Sequence, residues 1–120
     1  MIRIKRVYDP IHASDGKRIL VDRLWPRGLS KENAALHEWM KELAPSHELR
    51  KWYNHDSAKF EAFKARYTEE LMRDDTNTAF IEQLLRWSAE GTVTLLYAAK
   101  EQERNQAVVL AEWLGGRERS

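Results

Sequence analysis

The run Asp22-Arg23-Leu24-Trp25-Pro26-Arg27-Gly28 concentrates most of the groups in this chain that could do chemistry. Arginine is the side chain suited to two parallel hydrogen bonds with a carboxylate or phosphate, so Arg23 and Arg27 form a candidate anion clamp. Trp25 between them offers a flat apolar wall on which a ring or base can stack. Asp22 beside the arginines is a carboxyl that burial or neighbouring cations can tune either way, and is the candidate acid or base if there is catalysis. Each has a structural alternative: Arg23 can pair with Asp22 or Asp9 to pin the loop, Trp25 can plug a core, and Pro26 and Gly28 can simply shape the turn.

A second group lies at Tyr97, Lys100 and Asn105. A lysine just past an apolar run and before a helical one is placed as in phosphate-binding loops. The glycines that would let backbone amides wrap a phosphate are missing, so the GxxxxGK[ST] pattern is absent. Tyr97 and Asn105 can orient a ligand, and Asn105 can equally cap a helix. Secondary candidates are Tyr8, Asp9, Arg50, Trp52 and His55. His55, beside Asp56 and near Trp52 and Tyr53, fits a tuned acid or base, or a helix end.

Other chemistries lack their residues. His12, His37, His47 and His55 form no HExxH or other tight ligand spacing, so no metal is expected. There is no cysteine, which removes disulfides, thiolate nucleophiles and Cys-based zinc sites. G-x-S-x-G and GxGxxG are absent, which disfavours a seryl nucleophile and a dinucleotide fold, and no cofactor is expected.

The elements that must position these groups follow from periodicity. Ile2, Ile4 and Val7 alternate with Arg3, Lys5 and Arg6 as in a strand with one wetter face. Asp9-Pro10 and Asp15-Gly16 are turn chemistry. Ile19-Leu20-Val21 reads as a buried strand, and the short link between the two strands favours a hairpin. Ser30 can cap a helix with Leu36, Trp39, Met40 and Leu43 on one face, ended by Ala44-Pro45. Ser46 can cap a short helix through Leu49, Trp52 and Tyr53 that stops near Asn54. Asp56 starts a longer one with Phe60, Phe63, Tyr67 and Leu71 on a stripe, ending in the polar run 73–77. A fourth carries Ile81, Leu84, Leu85 and Trp87, with Gly91 suited to a left-handed C-cap. Residues 92–97, TVTLLY, read as a buried strand, and Ala107, Leu110, Ala111 and Leu114 line a last helix stopped by Gly115-Gly116, with RERS as a solvated tail.

The sum is an α/β chain with about three strands flanked by helices in Rossmann-like layers and a helical insertion between the second and third. In such layers the helical return is a right-handed crossover between parallel strands, and ligands collect outside the strands' carboxyl ends, at Tyr8-Asp9, Asp22 to Gly28 and Tyr97 to Lys100. At 120 residues, with 42% hydrophobic and 32% charged residues, one folded domain is expected, with most of its five tryptophans inside. No stretch approaches a membrane span and no apolar leader is visible, so a cytoplasmic location is expected. Net charge is +1, yet residues 1–31 hold eight Lys/Arg against three Asp while residues 32–91 hold eight against twelve acidic residues, an asymmetry that can steer anions.

At RVYDP, DGKRILVDRLWPRGLSK, ELAPSHELRKWYNHD, FKARYTEEL and TVTLLYAAKEQERNQAVVL the sequence resembles the YeaO-like branch of a bacterial family of uncharacterised proteins, domain of unknown function 488. The resemblance runs along nearly the whole chain. It implies a small cytosolic α/β domain with a mostly parallel sheet, against the hairpin that the short link favours, and it supplies no activity. The broader family typically carries a cysteine after LL in the last strand and a Cys-His-Arg cluster at the next helix. Here those places hold Tyr97 or Ala98 and Arg104-Asn105-Gln106, so thiol or metal chemistry does not carry over.

The leading expectation is therefore a small anionic metabolite or nucleotide bound at the strand ends by Arg23, Arg27 and Lys100, oriented by Tyr97 and Asn105 against Trp25. The competing expectations are an RNA or DNA surface using Tyr8, Trp25, Arg50, Trp52 and Tyr53, and an interaction protein, monomeric or homodimeric through exposed aromatics.

Overall fold

Residues 92–97 lack polar side chains apart from two threonines and the Tyr97 hydroxyl, and a strand largely apolar on both faces must be paired on both edges and covered on both sides. That demand sets the sheet. The computed structural model describes residues 1–118. β1 (Ile2–Arg6), β2 (Lys17–Leu20), β3 (Glu38–Trp39) and β4 (Val93–Tyr97) form one parallel sheet in the order β1-β4-β2-β3. All five residues of β4 are buried, and it lies between β1 and β2. The hairpin favoured by the short link is thereby ruled out: β1 and β2 never pair, and the link carries the chain past β4.

Among the described residues there are four strands rather than about three. The extra strand, β3, falls inside the helix expected to run from its cap at Ser30 to Ala44-Pro45. Ser30 does cap a helix, its hydroxyl accepting from the Asn33 N–H at 3.1 Å, but α1 (Lys31–Ala34) lasts one turn before Ala35 turns left-handed at φ 47°. The apparent helical stripe is two surfaces. Leu36 and Trp39 pack on one face of the sheet with Leu20 and Leu96, whereas Met40 and Leu43 join the core on the other.

The remaining helices are α2 (His47–Tyr53), α3 (Phe60–Arg73), α4 (Asp75–Glu90) and α5 (Gln106–Glu118). Ser46 caps α2 through the Leu49 N–H, and Asp56 caps a 3-10 turn, Ser57–Lys59, that leads into α3. Two expected helix stops differ. Gly91 has φ −179°, so α4 ends on extended backbone rather than a left-handed cap. Gly115 and Gly116 lie within α5, which runs on through Arg117 and Glu118; the rest of the expected tail, residues 119–120, lies outside the described residues.

Side chains alternate across the sheet with the strand period of two. Ile19, Val21, Val93, Leu95 and Tyr97 face a core filled by Leu49, Phe63, Tyr67, Leu84, Leu110 and Leu114 from α2 to α5. On the opposite face, Val7, Leu20 and Leu96 are covered by Trp25, Leu29, Leu36 and Trp39. All five tryptophans are half-buried, contrary to the expectation that most lie inside. Large apolar surface is covered while the indole N–H keeps a partner, as in Trp25 to the Leu29 carbonyl and Trp39 to the Asp22 carbonyl, both 2.6 Å. No helix among the described residues is long and apolar enough to cross a membrane.

The amino-terminal half of that second face is polar. Buried Asp15 accepts from Arg18 Nη1 at 2.6 Å, from Lys5 Nζ at 3.0 Å and from the His12 N–H at 3.1 Å. Burial works to raise the Asp15 carboxyl, but the His12 N–H, Lys5 and Arg18 outweigh it and hold the pKa below the ordinary value. Arg18 is 4% exposed and also donates to the Ala34 and Ala35 carbonyls, so both charges are buried with partners.

Candidate functional site

The loop leaving β2 crosses to the Trp25 face of the sheet, whereas the chain leaving β4 enters α5 on the other face. Neighbouring parallel strands whose connections diverge leave a crevice at their carboxyl ends. A cavity of about 240 Å³ occupies that position, between Asp22 and Arg23 after β2 and Ala99, Arg104, Asn105 and Gln106 after β4. Arg50 and Tyr53 of α2 close one side with His55, and Leu24, Ala44, Pro45 and Phe63 complete the lining. Consecutive left-handed residues, Asn54 (φ 44°) and His55 (φ 56°), end α2 and turn the chain so that His55 reaches the rim.

Asp22 is the hinge of the site. Its Oδ2 accepts the Ala98 N–H at 2.9 Å, its Oδ1 accepts Gln106 Nε2, and its backbone carbonyl takes the Trp39 indole. One carboxylate thus ties the end of β2 to the end of β4 and the first turn of α5. Burial pushes its pKa up to about 6, against the Ala98 N–H, the positive charge of Arg50 and the Gln106 hydrogen bond, all of which favour the ionised form.

Three arginines of the described residues line the same cavity. Arg23 donates from Nε to the Pro45 carbonyl (3.2 Å) and from Nη2 to the Ala44 carbonyl (3.0 Å), so part of its fork is already engaged. Arg104 is exposed, and its backbone carbonyl accepts the Tyr53 hydroxyl at 2.9 Å. Arg50 differs from both. Its Nε is buried and has no hydrogen-bond partner among the described residues, and Nη2 reaches only His47 Nδ1 at 3.4 Å. A buried donor left unpaired is costly, and one on a guanidinium more so.

Of the residues singled out in the sequence, the cavity collects Asp22, Arg23, Asn105, Arg50 and His55. Asn105 is 3% exposed and caps α5, its Oδ1 accepting the Val108 N–H at 3.0 Å while Nδ2 donates to the Glu101 carbonyl at 2.7 Å. Trp25, Arg27, Lys100, Tyr97, Tyr8, Asp9 and Trp52 do not line it. Trp25 meets Trp39 edge to face at 5.4 Å on the far side of the sheet. Arg27 and Lys100 are exposed, and the Arg27 carbonyl accepts the Tyr8 hydroxyl at 2.7 Å. Tyr97 is buried in the core beside the site; burial and the negative charge of Asp9 raise its pKa, against a hydrogen bond with Asn105.

The aromatic groups considered as base-stacking platforms are occupied within the protein. Arg66 and Lys59 lie over the Trp52 ring at 4.1 and 5.1 Å, Tyr53 stacks on Phe63 at 4.3 Å, and Arg6 lies over Tyr8 at 5.1 Å. Among the described residues, no group of three or more His, Cys, Asp or Glu could hold a metal ion.

Sequence reasoning missed Arg104 and Gln106 as site residues. The available signal was their place flanking Asn105 at the start of the last helix, but the bond from Gln106 to Asp22 spans 84 positions and leaves no local pattern.

The family described as the "Inactive DUF488-N3 subclade" matches residues 1–119. The chain is 45% identical over 113 residues to "Uncharacterized protein YeaO" of Escherichia coli strain K12, covering 94% of this chain and 96% of that one. It is 40% identical over 116 residues to "Uncharacterized protein Rv3073c" of Mycobacterium tuberculosis strain H37Rv, covering 97% and 95%. No solved structure matches.

Proposed function

Because the chain belongs to the DUF488 family, in the branch described as its inactive N3 subclade, we propose that it binds a small anionic metabolite at the carboxyl ends of β2 and β4 without transforming it. The observation that carries this reading is the unpartnered, buried Arg50 Nε in a cavity shared with Arg23 and Arg104. An oxyanion beside Arg50 would supply the missing acceptor, and a guanidinium edge matches a carboxylate or phosphate bidentately. A cavity of about 240 Å³ suits a phosphate or carboxylate on a short carbon frame better than a dinucleotide.

Binding without catalysis is supported by the engagement of Asp22. A general acid or base exchanges its proton with a substrate held in place. Each Asp22 oxygen is instead already oriented by a wall group, Ala98 or Gln106, so a proton it takes comes from solvent rather than from a bound molecule. Asp22 then acts as a positioning group that fixes the cavity wall, and Arg23, Arg50 and Arg104 carry recognition, with Arg27 and Lys100 outside the site.

The test is a thermal-shift series with orthophosphate, a sugar phosphate, a mononucleotide and a small dicarboxylate, each against an uncharged analogue at matched ionic strength. A ligand of the folded form stabilises it by RT ln(1 + [L]/Kd), about 2.7 kcal/mol at a hundredfold excess over Kd. The expected result is a concentration-dependent rise with at least one small anion and none with its uncharged analogue. Equal rises for every salt would mean non-specific screening and contradict the reading.

A further inference from the structure

We propose that the cavity takes up its anion together with a proton, with the Asp22 carboxylate as the proton acceptor, so that acidification tightens binding. This rests on the anion-binding reading above and specifies how that site is regulated.

The geometry places one carboxylate among the cations that would hold the anion. Asp22 and Arg23 come from the end of β2, Arg50 and Tyr53 from α2, His55 from the turn after it, and Arg104 and Gln106 from the start of α5. Tyr67 of α3 lies close enough for the Asp22 charge to act on its hydroxyl, which donates to the Leu43 carbonyl at 2.5 Å. The only carboxylate lining the cavity among the described residues is therefore also the one group there that repels an incoming anion.

With the cavity empty, the positive charge of Arg50 helps keep Asp22 ionised against the cost of burial, and the balance already stands near neutrality at about 6. An anion on Arg50 offsets that charge and adds its own repulsion. Both effects favour the neutral carboxyl, so binding draws a proton from solvent onto Asp22. The wall survives this change. One Asp22 oxygen still accepts the Ala98 N–H, and a rotated Gln106 amide can present its carbonyl oxygen to the new hydroxyl.

Sulfate is the probe, because it stays a dianion through the working range. Its affinity is measured by calorimetry from about pH 7.5 to about pH 5.5 at fixed ionic strength, on the natural chain and on Asp22→Asn. The natural chain is expected to gain about sixfold in affinity over that range, most of the roughly tenfold limit set by a one-unit rise in the Asp22 pKa on binding. Asp22→Asn is expected to bind with the high affinity across the whole range. Histidine is the other side chain that changes charge there, and the variant retains His47 and His55. A pH-dependent rise that persists in Asp22→Asn would assign the proton to a histidine and overturn the proposal, as would sulfate binding that is flat with pH in the natural chain. Heats measured near pH 6 in buffers of different ionisation enthalpy need no variant: net proton uptake is expected, and none would overturn the proposal. Absence of sulfate binding at every pH would instead overturn the anion-binding reading beneath it.

Discussion

Gly16→Ala is expected to cost about 3 kcal/mol or more of folding stability, read as a lower urea midpoint with an unchanged m value. Gly16 sits at φ 62°, ψ −130°, a conformation that L-residues essentially do not adopt. A Cβ there would lie 2.2 Å from the Thr92 carbonyl oxygen and 2.9 Å from its carbon, both backbone atoms. That carbonyl accepts the Lys17 N–H at 3.0 Å, the bond from which the β2–β4 pairing begins. Relief of the clash must therefore move the centre of the sheet or break its first rung. Gly115→Ala is the contrast: nothing lies within 4 Å of its added Cβ and the position is helical, so a gain of about 0.5–1 kcal/mol is expected. Near-equal effects at the two positions would show that β2 and β4 do not meet at Gly16 in this way.

Arg50→Leu is expected to weaken small-anion binding by about 10- to 100-fold, the worth of a hydrogen bond to a charged group, while leaving stability unchanged or slightly higher. The stability half of this follows from the unpartnered Nε, since removing a buried donor that bonds nothing removes a desolvation cost that offsets the lost attraction between Arg50 and the Asp22 carboxylate. Arg50→Lys retains the charge without the planar edge and is expected to fall between the two. Arg27→Ala and Lys100→Ala lie outside the cavity, so each should change affinity by less than about twofold, as exposed charges do. Calorimetric titration of all four with orthophosphate checks this. Losses at Arg27 and Lys100 as large as at Arg50 would make the binding a diffuse surface effect.

The region of the cavity proposed as the site was legible in the sequence to the extent that it depends on strand ends. Ile19-Leu20-Val21 running into Asp22-Arg23, and TVTLLY running into a helix, mark two apolar strands with polar groups at their exits, and the cavity lies between them. Which arginines enter it was not legible. Arg27 is only four residues from Arg23, but the loop carries it to the other face, where Trp25 and Leu29 cover Leu20 and Leu96. Arg50 stands in the sequence only as a secondary candidate, because periodicity cannot show that α2 abuts the end of the sheet. The same limit explains β3: the spacing of Leu36, Trp39, Met40 and Leu43 is helical, yet a chain passing the sheet edge delivers the first two to one core and the last two to the other. The short β1–β2 link favoured a hairpin because link length carries no information about β4, which arrives 73 positions after β2 ends and takes the place between them (Leu20 to Val93).

The most direct test of the site is the Arg50 Nε–H resonance followed by nitrogen-15 NMR during an orthophosphate titration near neutral pH. An unpartnered donor that gains a charged acceptor should move downfield along a saturable curve and exchange more slowly with water, in step with the Ala98 amide that shares Asp22. Saturable phosphate binding that leaves the Arg50 Nε–H unmoved, while exposed arginines such as Arg27 respond, would contradict the account and place the anion elsewhere on the protein.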